Sequence, residues 1–149
     1  MKILVLNGPN LNMLGVREPG IYGTMKYSEL EKLIFNYADG KDVEIEILQS
    51  NYEGELITKI QQARGVFDGI VINPGALTHY SYAILDALLA AEVQTVEVHL
   101  SDIQKREEFR RISVTSAGCE KQICGLGAQG YFLAIDFLIN NFKDGSFKK

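Results

Sequence analysis

Apolar residues in this chain gather into short, nearly unbroken runs, separated by stretches that carry helix-capping spacings and polar turns. Ile3 to Leu6, Val43 to Leu48, Asp68 to Ile72 and Val96 to Leu100 read as strands. Continuous runs of this kind suit a parallel sheet covered on both faces. Ser28-Glu29-Leu30-Glu31 has capping-box spacing and predicts a helix through about Ala38. Ser50-Asn51-Tyr52-Glu53 repeats the spacing ahead of a helix through about Arg64, and further helices are expected over Tyr82 to Ala91 and Gln129 to Asn141. Ser101-Asp102-Ile103-Gln104 is a third such box and predicts a helix directly after the fourth strand. Ser113 to Ser116 is expected to extend briefly, and Gln122 to Cys124 supplies a fifth strand. Strands alternating with helices imply right-handed crossovers, hence an α/β, doubly wound, five-stranded parallel sheet in a single domain.

In such sheets ligands bind beyond the carboxyl ends of the strands. Asn10, Asn73, His79 and the segment His99 to Ser101 all fall at that rim. Side chains two apart on a strand share a face, so Glu97 and His99 point the same way. Such a carboxylate fixes one imidazole nitrogen and readies the other for proton transfer. A lone histidine at a strand end is more often structural, and a solvated edge charge is the lesser alternative for Glu97; their spacing favours a functional pair. The start of the expected helix at Ser101 would add a seat for an anion.

Leu11 to Thr24 is too long for an ordinary connection and reads as a functional loop or lid. It carries Arg17 and Tyr22; a guanidinium beside a phenol favours the phenolate. Arg106, Arg110 and Arg111 are expected on one helix with Glu107 and Glu108. Arg106 and Arg111 read as a salt-bridged surface, while spacing leaves Arg110 unassigned. Asp86, in a mostly apolar helix, either faces solvent or reaches across a subunit contact.

At 149 residues, with 46% hydrophobic and 23% charged residues, the chain has the composition of one soluble domain. A net charge of −4 argues against nucleic acid or an anionic membrane as partner. The first apolar run is too short for a signal peptide, and no stretch approaches a membrane span. Cys119 and Cys124 match no zinc or thioredoxin spacing and read as reduced thiols of a cytoplasmic protein. The tail from about 143 to 149 is expected to fray.

Gly125-Leu126-Gly127-Ala128-Gln129-Gly130 matches a dinucleotide fingerprint, but no second strand–helix–strand half follows it. Close helix–sheet packing is the better reading. A flavodoxin would need a hydroxyl-rich phosphate loop after the first strand. A phospho-accepting receiver would need acidic residues at the early strand ends. A non-catalytic binding module of the same fold is the remaining rival.

Several motifs together resemble the type II 3-dehydroquinate dehydratases. They are Asn7-Gly8-Pro9-Asn10-Leu11-Asn12, Gly15-Val16-Arg17-Glu18-Pro19 with Tyr22-Gly23, Asn73-Pro74-Gly75-Ala76 with Thr78-His79, Glu97-Val98-His99-Leu100-Ser101, Arg106-Glu107-Glu108-Phe109-Arg110, and Gly125 to Tyr131. The resemblance implies a flavodoxin-like fold and dehydration of 3-dehydroquinate to 3-dehydroshikimate through an enolate, with no cofactor and no metal. The reaction serves the shikimate pathway of aromatic amino-acid biosynthesis and, alternatively, quinate breakdown. By that likeness Tyr22 is the base, Arg17 favours its phenolate and the enolate, and Asn10 holds the enol through a water. His99 protonates the departing hydroxyl, oriented by Glu97. Asn73 and the amides of Leu100 and Ser101 take the substrate carboxylate. His79, Arg110 and Asp86 contact hydroxyls or shape the site, Asp86 from a neighbouring subunit of a homododecamer, a tetramer of trimers. Leu77, Tyr80, Tyr82 and Leu85 depart from the family's pattern near His79 and Asp86.

Overall fold

The computed structural model describes residues 1–16, 20 and 24–145. Strands β1 (Lys2–Asn7), β2 (Glu44–Gln49), β3 (Gly69–Asn73), β4 (Thr95–His99) and β5 (Lys121–Cys124) form one sheet in the order β2-β1-β3-β4-β5. Every pairing is parallel. The expected doubly wound sheet is therefore present, with the strand order reversing between β1 and β3.

Alternation along each strand divides the core in two. Ile3, Val5, Val71, Val96 and Val98 pack on α1 (Tyr27–Ala38) and α4 (Gln129–Lys143), through Leu30, Ile34, Tyr131, Ile135 and Leu138. Leu4, Leu6, Ile70 and Ile72 pack on α2 (Glu53–Ala63) and α3 (Tyr82–Ala91), through Leu56, Ile60, Ile84 and Leu88. With both faces buried, alternate positions of the strands are apolar in both registers, which produces the continuous runs.

Gly130 explains part of the glycine-rich motif. A Cβ there would stand 3.0 Å from Val98 Cγ1, so its absence lets α4 lie close on β4. Gly125 and Gly127 have φ of 78° and 54°, a region that L side chains rarely enter. Their turn lets Gly125 N–H donate to the carbonyls of His99 and Ser101, and Gly127 N–H to that of Leu100. The motif thus packs a helix and pins the segment after β4, as close packing rather than nucleotide binding requires.

The helix starts differ from expectation. Helix α1 is capped at Lys26, two residues before Ser28, and the Lys26 N–H donates to the Glu29 carboxylate at 2.7 Å. Helix α2 is preceded by Tyr52, whose N–H donates to Ser50 Oγ; Ser50 Oγ donates to Glu55 rather than serving the helix as a capping box. Glu53 instead accepts from Ser81 Oγ at 2.5 Å, tying α2 to the start of α3.

After β4 the expected helix does not form. Asp102, not Ser101, caps a single 3₁₀ turn, Ile103–Lys105, by accepting from the Gln104 N–H. Arg106 and Glu107 are extended, and a second turn spans Glu108–Arg110. Gln104 Nε2 donates to the Arg111 carbonyl and Arg111 Nε to that of Arg106, so side chains engage carbonyls that a helix would occupy internally. Ser113 to Ser116 does not extend as a strand either; Thr115–Gly118 is another 3₁₀ turn.

Candidate active site

Two loops build one wall of a cleft at the carboxyl ends of β1, β3 and β4. The loop after β1 and the loop after β3 touch backbone to backbone. A Cβ on Gly8 would collide with the Pro74 carbonyl, and one on Gly75 (φ 60°) would stand 2.9 Å from Pro9 O. Asn10 turns the first loop with φ 69° and anchors it, its N–H donating to Asn51 Oδ1 at 2.9 Å. Asn10, Asn73, His79, His99, Leu100, Ser101 and Arg110 all line the cleft, together with Arg106 and the apolar Leu11, Leu14 and Ile103.

Behind His99 lies the most charged feature of the interior. Glu97 is 0% exposed and its Oε1 is 2.7 Å from His99 Nε2. The same oxygen accepts from Thr78 Oγ1, Ser113 Oγ and Gln122 Nε2 at 2.8–2.9 Å, and Oε2 accepts from Thr115 Oγ1 at 2.5 Å. Burial alone would drive this carboxyl toward its neutral form. The His99 contact and the Thr115 and Gln122 donors outweigh burial and hold it down at about 2. The carboxylate is therefore ionised and fully engaged, and it can only accept from His99 Nε2. Nδ1 is left for other chemistry, with a negative charge placed to stabilise an imidazolium.

His79 is set by the opposite nitrogen. Its Nδ1 is 2.7 Å from the Ile112 carbonyl, which can only accept, so Nδ1 carries the proton and Nε2 is the acceptor in the neutral ring. Asn73, 3% exposed, accepts from the Gly75 N–H through Oδ1 and donates through Nδ2 to Tyr131 Oη. Arg110 Nε lies 3.4 Å from Glu107 Oε2 without hydrogen-bond alignment, and its guanidinium sits over the Phe109 ring. Arg106 also faces Glu107 at 3.4 Å, with a side chain only 12% exposed. The two arginines gather positive charge at the cleft of an acidic chain.

Arg106 is the cleft residue that the salt-bridged-surface reading missed. Its spacing to Glu107 and Glu108 resembles that of any exposed helix, and only the extended backbone at 106–107 places it inward. Likewise the four donors to Glu97 other than His99 come from three separate segments and have no shared motif. The anion seat expected from a helix start at Ser101 is absent as such, because a 3₁₀ turn of three residues carries no appreciable macrodipole. Leu100 and Ser101 reach the cleft through the loop alone.

Asp86 is exposed on α3 and is not among the residues lining the cleft. Tyr80 and Tyr82 are exposed beside it, whereas Leu77 is buried. Arg17 and Tyr22 lie outside the described residues. Among the described residues no cluster of His, Cys, Asp or Glu side chains could hold a metal ion, and no helix is long and apolar enough to cross a membrane. Cys119 and Cys124 are free thiols, with burial pushing Cys119 up and Cys124 to about 11.

Comparison with known proteins adds independent evidence. The family model described as dehydroquinase class II matches residues 1–139. A 3-dehydroquinate dehydratase of Thermotoga petrophila is 54% identical over 138 residues, covering 93% of this chain and 94% of the relative. One from Lachnoclostridium phytofermentans is 55% identical over 141 residues, covering 94% and 97%. The crystal structure of a type II dehydroquinase from Butyrivibrio crossotus superposes with a TM-score of 0.91 at 55% identity, covering 93% of this chain and 97% of that one. A type II dehydroquinase from Propionibacterium acnes gives 0.90 at 44% identity, covering 93% and 96%.

Proposed function

The chain belongs to the class II dehydroquinase family, and from that premise we propose how its cleft carries out the reaction. The chain is a lyase that dehydrates 3-dehydroquinate to 3-dehydroshikimate, a step of the shikimate pathway. The chemistry has two demands. A proton beside a ketone is weakly acidic, so its removal needs a strong base and stabilisation of the developing enolate. Hydroxide is a poor leaving group, so its departure needs an acid.

His99 is the acid. An imidazolium donates from Nδ1 to the departing hydroxyl, while Nε2–H remains on the Glu97 carboxylate. The buried ionised Glu97, 2.7 Å from His99 at the edge of the cleft, is the observation that carries this reading. Asn73 and the backbone of Leu100 and Ser101 receive the substrate carboxylate, and Asn10 holds the enol through a water. His79 and Arg110 meet ring hydroxyls; with Nδ1 held on the Ile112 carbonyl, His79 turns Nε2 to them. Tyr22 is the base and Arg17 stabilises its phenolate and the enolate. The reaction proceeds without a cofactor.

The chain assembles as a homododecamer, a tetramer of trimers, in the cytoplasm. Exposed Tyr82 and Leu89 on the helix that bears Asp86 support a subunit contact there. Across that contact Asp86 reaches a neighbouring cleft.

The reaction is tested by mixing purified protein with 3-dehydroquinate and following ultraviolet absorbance of the conjugated enone. Absorbance that grows without added cofactor, and survives borohydride added with substrate, supports the proposal and excludes a Schiff-base route. A folded protein that leaves the absorbance flat rejects it.

A further inference from the structure

Beneath the cleft a line of polar groups runs from Asn73 to Tyr131, Asn7 and Tyr27, three side chains for which the mechanism above has no use. Strands β1 and β3 end on Asn7 and Asn73, which are register partners on adjacent strands. Tyr131, from α4, is 0% exposed, and its hydroxyl lies between the two asparagines. Asn73 Nδ2 donates to Tyr131 Oη at 3.0 Å, Tyr131 Oη donates to Asn7 Oδ1 at 2.6 Å, and Asn7 Nδ2 donates to Tyr27 Oη at 3.3 Å. The direction of this chain is fixed at the cleft. The Gly75 N–H can only donate, so the Asn73 atom facing it is Oδ1 and the amide nitrogen must face Tyr131. Burial also raises the Tyr131 phenol, so the hydroxyl keeps the proton it gives to Asn7.

We propose that Tyr131 is a positioning residue for the carboxylate subsite: its buried hydroxyl, set between Asn7 and Asn73, locks the Asn73 amide so that the second N–H is presented to the substrate carboxylate. Without that hydroxyl only the Gly75 N–H holds the Asn73 amide, and the group can turn its oxygen toward the anion. This inference rests on the assignment of Asn73 to the carboxylate. It concerns ground-state binding, because the carboxylate keeps its charge throughout the reaction.

The test compares Tyr131→Phe, Asn7→Ala, Asn73→Ala and the Tyr131→Phe/Asn73→Ala pair, each measured for KM, kcat and melting temperature. Tyr131→Phe is expected to raise KM about tenfold, the scale of one hydrogen bond to a charged group, with little change in kcat. Asn7→Ala loses the same Tyr131–Asn7 bond but leaves Tyr131 free to accept from Asn73. It is expected to lower the melting temperature with KM unchanged, which separates positioning from mere stability. Adding Tyr131→Phe to Asn73→Ala is expected to raise KM no further. If Tyr131→Phe does not fold, Tyr131→Phe with Asn7→Leu removes the orphaned Asn7 acceptor and is expected to show the same raised KM.

A KM that rises for Asn73→Ala and not for the Tyr131 variants overturns the inference. So do equal rises for Tyr131→Phe and Asn7→Ala, or effects that multiply in the double variant. A KM unmoved by Asn73→Ala refutes the carboxylate assignment itself, and the inference falls with it.

Discussion

His99 Nε2 and Glu97 Oε1 are 2.7 Å apart, and the carboxylate of that pair sees no solvent at all. A buried charge persists only where hydrogen bonds replace its lost hydration. Here Thr78, Ser113, Thr115 and Gln122 supply them alongside the imidazole. The cluster keeps a fixed negative charge behind His99, placed to stabilise a positive ring.

Glu97→Gln tests the charge with little change of shape. Thr115 Oγ1 can turn to accept from the new amide, so the variant is expected to fold. Its kcat is expected to fall about 10–100-fold with KM little changed, because the lost interaction matters most as charge develops on the ring. Steady-state kinetics on the two proteins checks this.

The same carboxylate gives the fold an acid-sensitive contribution. Its value falls from 4.5 to about 2 on folding, so the unfolded chain binds the proton more readily. The contribution is full above pH 4.5 and is lost as pH falls toward about 2, a change on the order of 3 kcal/mol. Urea denaturation between pH 5 and pH 2 (about the span the linkage sets) is expected to show a shallower loss for Glu97→Gln than for wild type. Parallel curves would place the ionised carboxylate elsewhere.

Gly8→Ala and Gly54→Ala are expected to act in opposite directions. A Cβ on Gly8 strikes the Pro74 carbonyl, so the contact between the β1 and β3 loops must open; the cost is about 1–3 kcal/mol or more. Gly54 lies in the first turn of α2 with open space around it, and alanine there is expected to add up to about 1 kcal/mol. Denaturation midpoints decide both signs, and turnover of Gly8→Ala is expected to fall as Asn10 and Asn73 shift.

Tyr22→Phe is expected to lose most turnover while staying folded, and turnover like wild type would remove Tyr22 as the base. If the Arg17 charge acts on the enolate as proposed, Arg17→Ala is expected to lower kcat by more than it weakens binding. A change confined to KM contradicts that role.

Much of this organisation is legible in the residue pattern, and the failures share a cause. Ile3–Leu6 and Gly69–Ile72 announce themselves because both faces of their strands are buried, and Glu97 and His99 because a strand has period two. The helix expected after Ser101 fails because Asp102, Gln104 and Arg111 bond to nearby backbone, a competition that capping spacing does not register. Ser28 and Ser50 mislead in the same way: Glu29 and Glu55 are the acids engaged at those ends, bonded to Lys26 and to Ser50. The inward turn of Arg106 and the convergence of Thr78, Ser113, Thr115 and Gln122 on Glu97 depend on contacts far apart in the chain. No local spacing encodes them.

The most direct measurement is turnover of His99→Ala, read as enone absorbance, with deuterium incorporation into unreacted 3-dehydroquinate followed in heavy water. Product formation is expected to fall by about 10²–10⁴-fold, the contribution of a positioned general acid, while the proton beside the ketone still exchanges. Product formation at the wild-type rate from folded His99→Ala would contradict it, since the departing hydroxyl would then have another acid.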